Sequence, residues 1–282
     1  MSHESAPLIS IIVAIFNGAK TLQQCIDSVA KQTYPNKELI IIDGGSNDGT
    51  VNLLRTNQEH IHYWVSEPDS GIYNAWNKGL TQAQGEWICF LGADDFFWDL
   101  QVLEQISAQL EKLPANIHVA YGQTMLISTY GESLYSVGEP WEKIKDRFLQ
   151  VMCINHQGVM HRRRLFEQYG KFDESFHITG DYELLLRELK TSDAIFIPDI
   201  ILVAMRQGGI SSKPENTLLA MQELRRAQRM HGQLLPGWIW FMAMVRVYIR
   251  LLLWHSIGEQ ATRNLIDLGR RMTGRQSYWT KT

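Results

Sequence analysis

Trp87-Ile88-Cys89-Phe90-Leu91-Gly92-Ala93-Asp94-Asp95 is an apolar run that stops at two adjacent carboxylates. A short continuous apolar run of this kind reads as a strand buried on both faces, as in parallel sheets. Open α/β sheets hold ligands at the carboxyl ends of such strands. Carboxylates placed there suit a hard divalent cation, and such a cation can hold a phosphate. They equally suit the cap of a following helix, expected here over residues 100–110.

Three similar runs precede this one. Residues 9–13 form a buried strand broken by Asn17-Gly18, and Leu22, Ile26 and Val29 then recur at helical spacing. Residues 39–42 form a second strand, stopped by Asp43-Gly44-Gly45, with a short helix starting near 48–50. Residues 61–65 form a third, followed by Asp69-Ser70-Gly71 and a helix to about residue 83. Strands alternating with helices predict an α/β fold with a mostly parallel, doubly wound sheet whose polar turns share one edge. Beyond residue 113 the pattern loosens. Strands are expected at 119–127, 195–197 and 201–204, and helices at 141–148, 181–189, 214–230, 236–254 and 260–272, with loop over the rest of 130–154.

With 282 residues, 45% of them hydrophobic, the chain can build a large α/β domain with an appendage and is not a disordered polymer. Cys25, Cys89 and Cys153 are odd in number, far apart and set among apolar neighbours, which argues against a disulfide scaffold or a zinc site and for a reducing, intracellular setting. Residues 1–7 lack the basic-then-apolar pattern of a signal peptide. The net charge of −3 is uneven. From Arg225 onward nine Arg and one Lys face only Glu259 and Asp267, so this tail is strongly basic and the remainder acidic. The tail is read either as a solvated helix face or as the seat of an anionic partner. Within it, Trp238, Trp240, Phe241, Tyr248 and Leu251-Leu252-Leu253 make an apolar block interrupted by Arg246 and Arg250. Two arginines make a spanning helix costly, so the block is expected to lie along a membrane interface, or else to pack on the catalytic domain or a second subunit.

No GxGxxG follows the first strand and no GxxxxGK[ST] occurs, which excludes the usual dinucleotide and P-loop fingerprints. The stretch Ile42-Asp43-Gly44-Gly45-Ser46-Asn47-Asp48-Gly49-Thr50 offers a carboxylate for a base or ribose, and glycines that let backbone approach a ligand; taken alone it is also an ordinary turn and helix cap. Together with Val13-Ala14-Ile15-Phe16-Asn17 and Leu91-Gly92-Ala93-Asp94-Asp95, in this order and spacing, it resembles glycosyltransferase family 2, which has the GT-A (Rossmann-like) fold. The segment from Glu67 to Gly79 resembles a subgroup that builds bacterial exopolysaccharide and lipid-linked glycans, including colanic-acid-type enzymes. The resemblance covers roughly residues 8–217.

That resemblance implies roles. Asp43 matches the aspartate at the nucleotide base. Ala14, Phe16 and Asn17 match the loop beside base and ribose, and Asp69 and Ala93 line the same donor site. Asp94 matches the last aspartate of the DxD motif that holds Mn2+ or Mg2+ on the donor diphosphate. Gly92 replaces the first aspartate of that motif, and Asp95 either compensates or caps the next turn. Asn74 stands where relatives often carry aspartate and takes no catalytic role; Lys78 either counters phosphate charge or is a surface lysine. Asp181, in Thr179-Gly180-Asp181-Tyr182-Glu183-Leu184, matches the general base. His156 and Gln157 match an acceptor- or diphosphate-side motif, although a histidine there is equally a structural hydrogen-bonding group. Arg206 opens the flexible loop 206–211 that folds over the donor. Arg162-Arg163-Arg164 reads as a solvated helix start.

The expected protein has a GT-A catalytic domain over residues 1–232, with a nucleotide-binding half to about 113 and an acceptor-binding half over 114–232, and a basic, amphipathic helical region over 233–282. It is expected to be an inverting glycosyltransferase that moves a sugar from a nucleoside-diphosphate-sugar donor to a hydroxyl of a glycan or lipid-linked acceptor in bacterial surface polysaccharide synthesis. It would sit peripherally on the cytoplasmic face of the membrane, with no nucleic-acid partner and with a homo-oligomer left open. Two alternatives use the same sheet: a sugar nucleotidylyltransferase, and a non-catalytic nucleotide-sugar-binding or scaffold protein.

Overall fold

Four parallel strands form where the apolar runs stand: β1 (Ile9–Ile15), β2 (Lys37–Asp43), β3 (Tyr63–Ser66) and β4 (Trp87–Gly92). The structure is a computed structural model and describes residues 6–209, 214–274 and 276–281. Because successive strand residues face opposite sides, each run splits between two cores. Ile12, Ile40, Ile42, Ile88 and Phe90 enter one, and Ile11, Val13, Ile41, Cys89 and Leu91 the other. The helices α1 (Ala19–Ala30) and α4 (Val102–Leu110) supply Leu22, Ile26, Leu103 and Ile106 to the second core, while α3 (Ile72–Gln82) supplies Trp76 and Leu80 to the first. A shorter helix, α2 (Thr50–Thr56), follows β2.

The second half extends the same sheet in mixed orientation. It contains β5 (Phe96–Phe97), β6 (Val119–Ile127), β7 (Ser133–Val137), β8 (Val159–Arg162) and β9 (Ile195–Arg206). The strand order is β3-β2-β1-β4-β8-β6-β9-β5, with β7 paired to β6. Thus the parallel pattern holds through the first four strands, and antiparallel β8 joins them to β6. Three of these strands, β5, β7 and β8, lie outside the expected set. Each is short, and β8 gains its ladder only by insertion between β4 and β6. The two strands expected at 195–197 and 201–204 are parts of one strand, whose pairing with β6 shifts register between Tyr121 and Gln123 near Pro198, where a proline is tolerated.

The helices of this half are α5 (Trp141–Phe148), α6 (Arg163–Tyr169), α7 (Gly180–Leu189), α8 (Pro214–Met230), α9 (Trp238–Ile257) and α10 (Glu259–Met272). The helix start at Arg162-Arg163-Arg164 is present, but of the three only Arg164 is exposed as expected. Arg162 donates to the carbonyls of Pro114 and Ile117 and lies 4.7 Å over the Trp87 ring, while Arg163 donates to the carbonyls of Gly85 and Ala83. These guanidiniums cap loop carbonyls, a use of the obligatory backbone acceptors.

The helix α9 is apolar on two sides. Trp240, Ala243, Met244, Val247 and Leu251 pack on the first core, at the spacing of one helical stripe. Phe241, Tyr248, Ile249 and Leu252 on the other side are 48–67% exposed. No helix among the described residues is long and apolar enough to cross a membrane.

At the amino edge of the sheet the buried Glu38 carboxylate accepts from Ser10 Oγ (2.5 Å), Gln84 N (2.6 Å) and Gly85 N (3.2 Å). A Cβ at Gly85 would stand 2.6 Å from Ser10 N and 2.7 Å from Leu8 O, both backbone atoms. Gly85→Ala should therefore cost about 1–3 kcal/mol, as overpacking against immobile neighbours does. Urea unfolding of the two proteins checks this, and an unchanged midpoint would contradict it.

Candidate active site

Parallel register sets the candidate donor-binding edge. Ile15 pairs with Asp43, Asp43 with Ser66, and Ala14 with Gly92, so the carboxyl ends of β1 to β4 stand side by side. Asp43 is fully buried. Its carboxylate accepts from Ser46 N (3.0 Å), Ser46 Oγ and Ser66 Oγ (2.5 Å). Ser46 Oγ is itself 2.6 Å from Asn17 N, and Asn17 Oδ1 accepts from Asn47 N at 3.0 Å. Asn17 adopts φ +51°, a left-handed conformation that asparagine tolerates. The two loops are thereby sewn together and Phe16 is left 66% exposed beside them. An exposed aromatic ring there offers a face for a base. Asp69 is brought to the same place: a Cβ at Gly44 would lie 2.6 Å from its Oδ2, and its Oδ1 accepts from Gly71 N at 2.9 Å. Lys78 is occupied differently, by an ion pair with Glu67 (2.7 Å) and a hydrogen bond to the Pro68 carbonyl (3.2 Å).

Gly92, Ala93, Asp94 and Asp95 form the turn after β4. A Cβ at position 92 would lie 2.7 Å from Asp95 Oδ2 and 2.9 Å from Asp94 Oδ1, so glycine lets both carboxylates fold over the backbone there. Asp95 is buried and accepts from Arg206 N at 2.9 Å. Burial, reinforced by the Asp94 charge, raises its proton affinity. The Arg206 guanidinium does not pair with it, but donates to Thr129 O (3.2 Å) and Gln24 Oε1 (3.1 Å). Two crowded carboxylates without a cationic side-chain partner among the described residues, all hard oxygen donors, suit Mg2+ or Mn2+ completed by substrate phosphates. No cluster of three or more acidic, His or Cys ligands occurs among the described residues. The loop expected over 206–211 is described only to Gly209; residues 210 and 211 lie outside the described residues.

Asp181 is the second residue of α7, partly buried, and lies in the half of the chain remote from these loops. Its Oδ1 accepts from Tyr182 N (2.8 Å) and from the Tyr73 hydroxyl (3.4 Å), which in turn accepts from Gly180 N (2.8 Å). Tyr73 lies on α3, two residues after Gly71, and its ring packs so close that a Cβ at Gly180 would be 2.9 Å away. The α7 entry is held from the other side by Glu223 of α8, whose carboxylate accepts from the backbone N–H of His177, Ile178 and Thr179 at 2.7, 2.9 and 3.0 Å. Burial raises the Asp181 pKa to about 6. The neighbouring acid in the motif, Glu183, is saturated by Arg187 and by His231 Nε2 (2.9 Å). Asp181 thus keeps a carboxylate without a cationic partner among the described residues. Tyr73 and Glu223 were not singled out from sequence: one is an aromatic within a helical pattern, the other one of two glutamates on an amphipathic helix.

His156 is buried in an aromatic cluster, 5.0 Å from Trp76, 5.4 Å from Phe90 and 4.9 Å from His161 between ring centroids. Burial and His161 drive its pKa down, so the ring is neutral. Neither ring nitrogen has a hydrogen-bond partner among the described residues. Gln157 follows it, half-buried, in the same tight turn. Asn155, just before, lines a cavity of about 420 Å³ with Tyr121, Thr124, Tyr135 and Glu139, closed on its far side by Arg270 and Tyr278. Met205 also lines it, one residue before the Arg206 amide that binds Asp95. The cavity is thus linked through β9 to the acidic turn.

Comparison with known proteins places this geometry. Residues 10–170 match the family model described as glycosyl transferase family 2. A PGL/p-HBAD biosynthesis glycosyltransferase from Mycobacterium bovis is 31% identical over 228 residues, covering 79% of this chain and 84% of that protein. Among solved structures, S. aureus TarS in complex with UDP-GlcNAc superposes with a TM-score of 0.63 at 18% identity, over 78% of this chain and 66% of that one. The mannosyltransferase PcManGT from Pyrobaculum calidifontis, in complex with GDP-Man and Mn2+, superposes with a TM-score of 0.61 at 17% identity, over 98% of this chain and 84% of that one. Both carry the same GT-A fold.

The carboxylates after β4 generate a direct test. Mn2+ with a nucleoside diphosphate should stabilise the protein by about 2–3 kcal/mol near saturation, following mass action for a ligand of the folded state. Asp94→Ala should remove the Mn2+-dependent part of the shift in thermal melting. A full Mn2+ response in this variant would take Asp94 out of the metal site.

Proposed function

The chain belongs to glycosyl transferase family 2, and on that premise we propose that it is an inverting glycosyltransferase using a nucleoside-diphosphate sugar and a hydroxyl acceptor, with Asp181 as the base. One observation carries the reading. Asp181 is a partly buried carboxylate with raised proton affinity and no cationic partner among the described residues, and it is hydrogen-bonded across the two halves of the molecule by Tyr73. A base with a pKa near 6 is ionised at neutral pH and still basic enough to take a proton in the transition state.

In this mechanism Phe16 and Asp43 receive the base and ribose of the donor. Asp69, beside Gly44, borders the same pocket. Asp94 and Asp95 would hold a divalent cation, whose positive charge offsets that of the departing diphosphate. Asp181 takes the proton of the acceptor hydroxyl as its oxygen bonds to the anomeric carbon. The bond from that carbon to the diphosphate oxygen breaks, its electron pair leaves with the diphosphate, and configuration inverts. The cavity lined by Tyr121, Tyr135 and Asn155 is assigned to the acceptor, and His156, being neutral and buried, to support of the wall between that cavity and the donor edge.

The acceptor is assigned to a glycan or lipid-linked molecule of surface polysaccharide or glycolipid synthesis, a context supported by the mycobacterial relative's name. The region 233–282 is assigned to peripheral attachment at the cytoplasmic membrane face. The unpacked side of α9, with Phe241, Tyr248, Ile249 and Leu252, and the basic excess of the tail support that assignment.

Screening UDP-, GDP- and dTDP-sugars for binding and turnover tests the whole reading; binding without transfer or hydrolysis for every donor would favour a non-catalytic protein. Asp181→Asn should lower kcat by about 10²- to 10⁴-fold while leaving donor affinity intact. In the wild type, kcat/KM should rise with pH through about 6 as Asp181 loses its proton. Tyr73→Phe removes a hydrogen bond that favours the ionised carboxylate, so the acidic limb should move to higher pH. An identical pH profile in Tyr73→Phe would break that link. Leu252→Glu should shift the protein from the membrane to the soluble fraction, and unchanged fractionation would contradict the attachment surface.

A further inference from the structure

Between α9 and α10, and against Trp279, lies a cleft of about 360 Å³. Its walls are apolar, from Val247, Ile249, Leu253 and Ile266, and its only charged lining groups among the described residues are Arg246 and Arg250. The Arg250 guanidinium lies 4.8 Å over the Trp279 ring. Its Nε and Nη2 are buried and have no hydrogen-bond partner among the described residues.

Neighbouring arginines differ. Arg225 donates to the carbonyls of Gln233 and Leu234, Arg263 pairs with Glu259 at 2.7 Å, and Arg270 donates to the Gln276 carbonyl at 2.8 Å. The acids of α10 are also committed, Glu259 to Arg263 and Asp267 to the backbone of residues 278–280. Among the described residues nothing therefore neutralises Arg250. Buried guanidinium nitrogens without acceptors are costly, and an anion entering the cleft would satisfy Nε and Nη2 at once.

We propose that this cleft binds the phosphate of an anionic membrane phospholipid, held by Arg250 with Arg246 at the rim. The choice of a lipid follows from the walls. A free phosphate would be set among four apolar side chains, whereas a phospholipid continues from its phosphate into acyl chains. The exposed Ile249 and Leu252, at 53% and 67%, lie on the same helix and give those chains a surface to meet. Guanidinium recognises phosphate through a planar fork that an ammonium lacks. This proposal rests on the membrane attachment above and makes it selective for headgroup charge.

Vesicle co-sedimentation of the full chain tests it, with phosphatidylcholine alone and phosphatidylcholine mixed with phosphatidylglycerol. The wild type should prefer the mixed vesicles. Arg250→Gln should weaken binding to them about tenfold or more, as loss of a charge-assisted hydrogen-bond pair implies. Arg250→Lys keeps the charge but loses the fork, and should lose most of the same affinity. Full binding by Arg250→Lys would mean that diffuse charge suffices and would overturn the site. Inorganic phosphate alone should leave thermal melting unchanged; stabilisation by phosphate that Arg250→Gln abolishes would reassign the cleft to a soluble anion. Calorimetry with UDP or GDP and Mn2+ should be the same for wild type and variants, which shows that the variants are folded. Wild-type failure to bind either vesicle would remove membrane attachment itself, whereas equal binding to both would remove only the headgroup site.

Discussion

The register of β1 between β2 and β4 is the constraint on which the donor edge depends. Hydrogen bonding aligns Ile15 with Asp43 and Ala14 with Gly92, and a parallel ladder can slip only by moving every side chain to the wrong face. Ile11, Ile12, Val13, Ile40 and Ile41 are all fully buried, so a slip would expose core on one side and bury polar turn residues on the other. Three loops far apart in sequence are thus brought to one edge by packing that has no chemistry of its own.

The second half is then fixed to that edge by buried polar contacts. Asp95 accepts the Arg206 amide, joining the end of β4 to the end of β9. Asn77 exchanges hydrogen bonds with the backbone of Phe172, at 3.0 Å each way, and donates to Glu174 at 2.8 Å. Tyr73 spans α3 and α7, and Glu223 gathers three successive amides at the α7 entry. An unpaired buried donor or acceptor is costly, so each contact resists being broken. Their combined effect is to hold Asp181 against Tyr73 of α3, the helix that begins just after Gly71.

The C-terminal helices obey a different logic. One stripe of α9 completes the core beneath α7 and α8, so the tail is part of the folded body. Its opposite stripe stays apolar and exposed, and arginine appears where a globular surface would mix both signs of charge. The Asp267 carboxylate closes the chain end against α10 by accepting from Tyr278, Trp279 and Thr280. This closure shapes both the cavity beside the acidic turn and the cleft at Arg250.

What could be read from the chain alone was whatever depends on local periodicity and on ordered motifs. The first four strands, the helices between them and the α/β class follow from apolar runs and turn residues, because strands buried on both faces, as β1, β2 and β4 are, have no other composition available. The glycosyl transferase family is legible for the same reason, since its loops directly follow those strands. Only the tertiary structure decided matters of partnership. It separated Asp181 from Glu183, two acids in one helical turn, by pairing the second with Arg187 and His231. It engaged Lys78 with Glu67, placed His156 among aromatic rings, and turned two arginines expected in solvent into clamps on loop carbonyls. It also formed β5, β7 and β8, which are too short to leave a periodic signal and exist through their neighbours. Each of these outcomes depends on contacts between residues tens of positions apart, for which a linear pattern carries no signature.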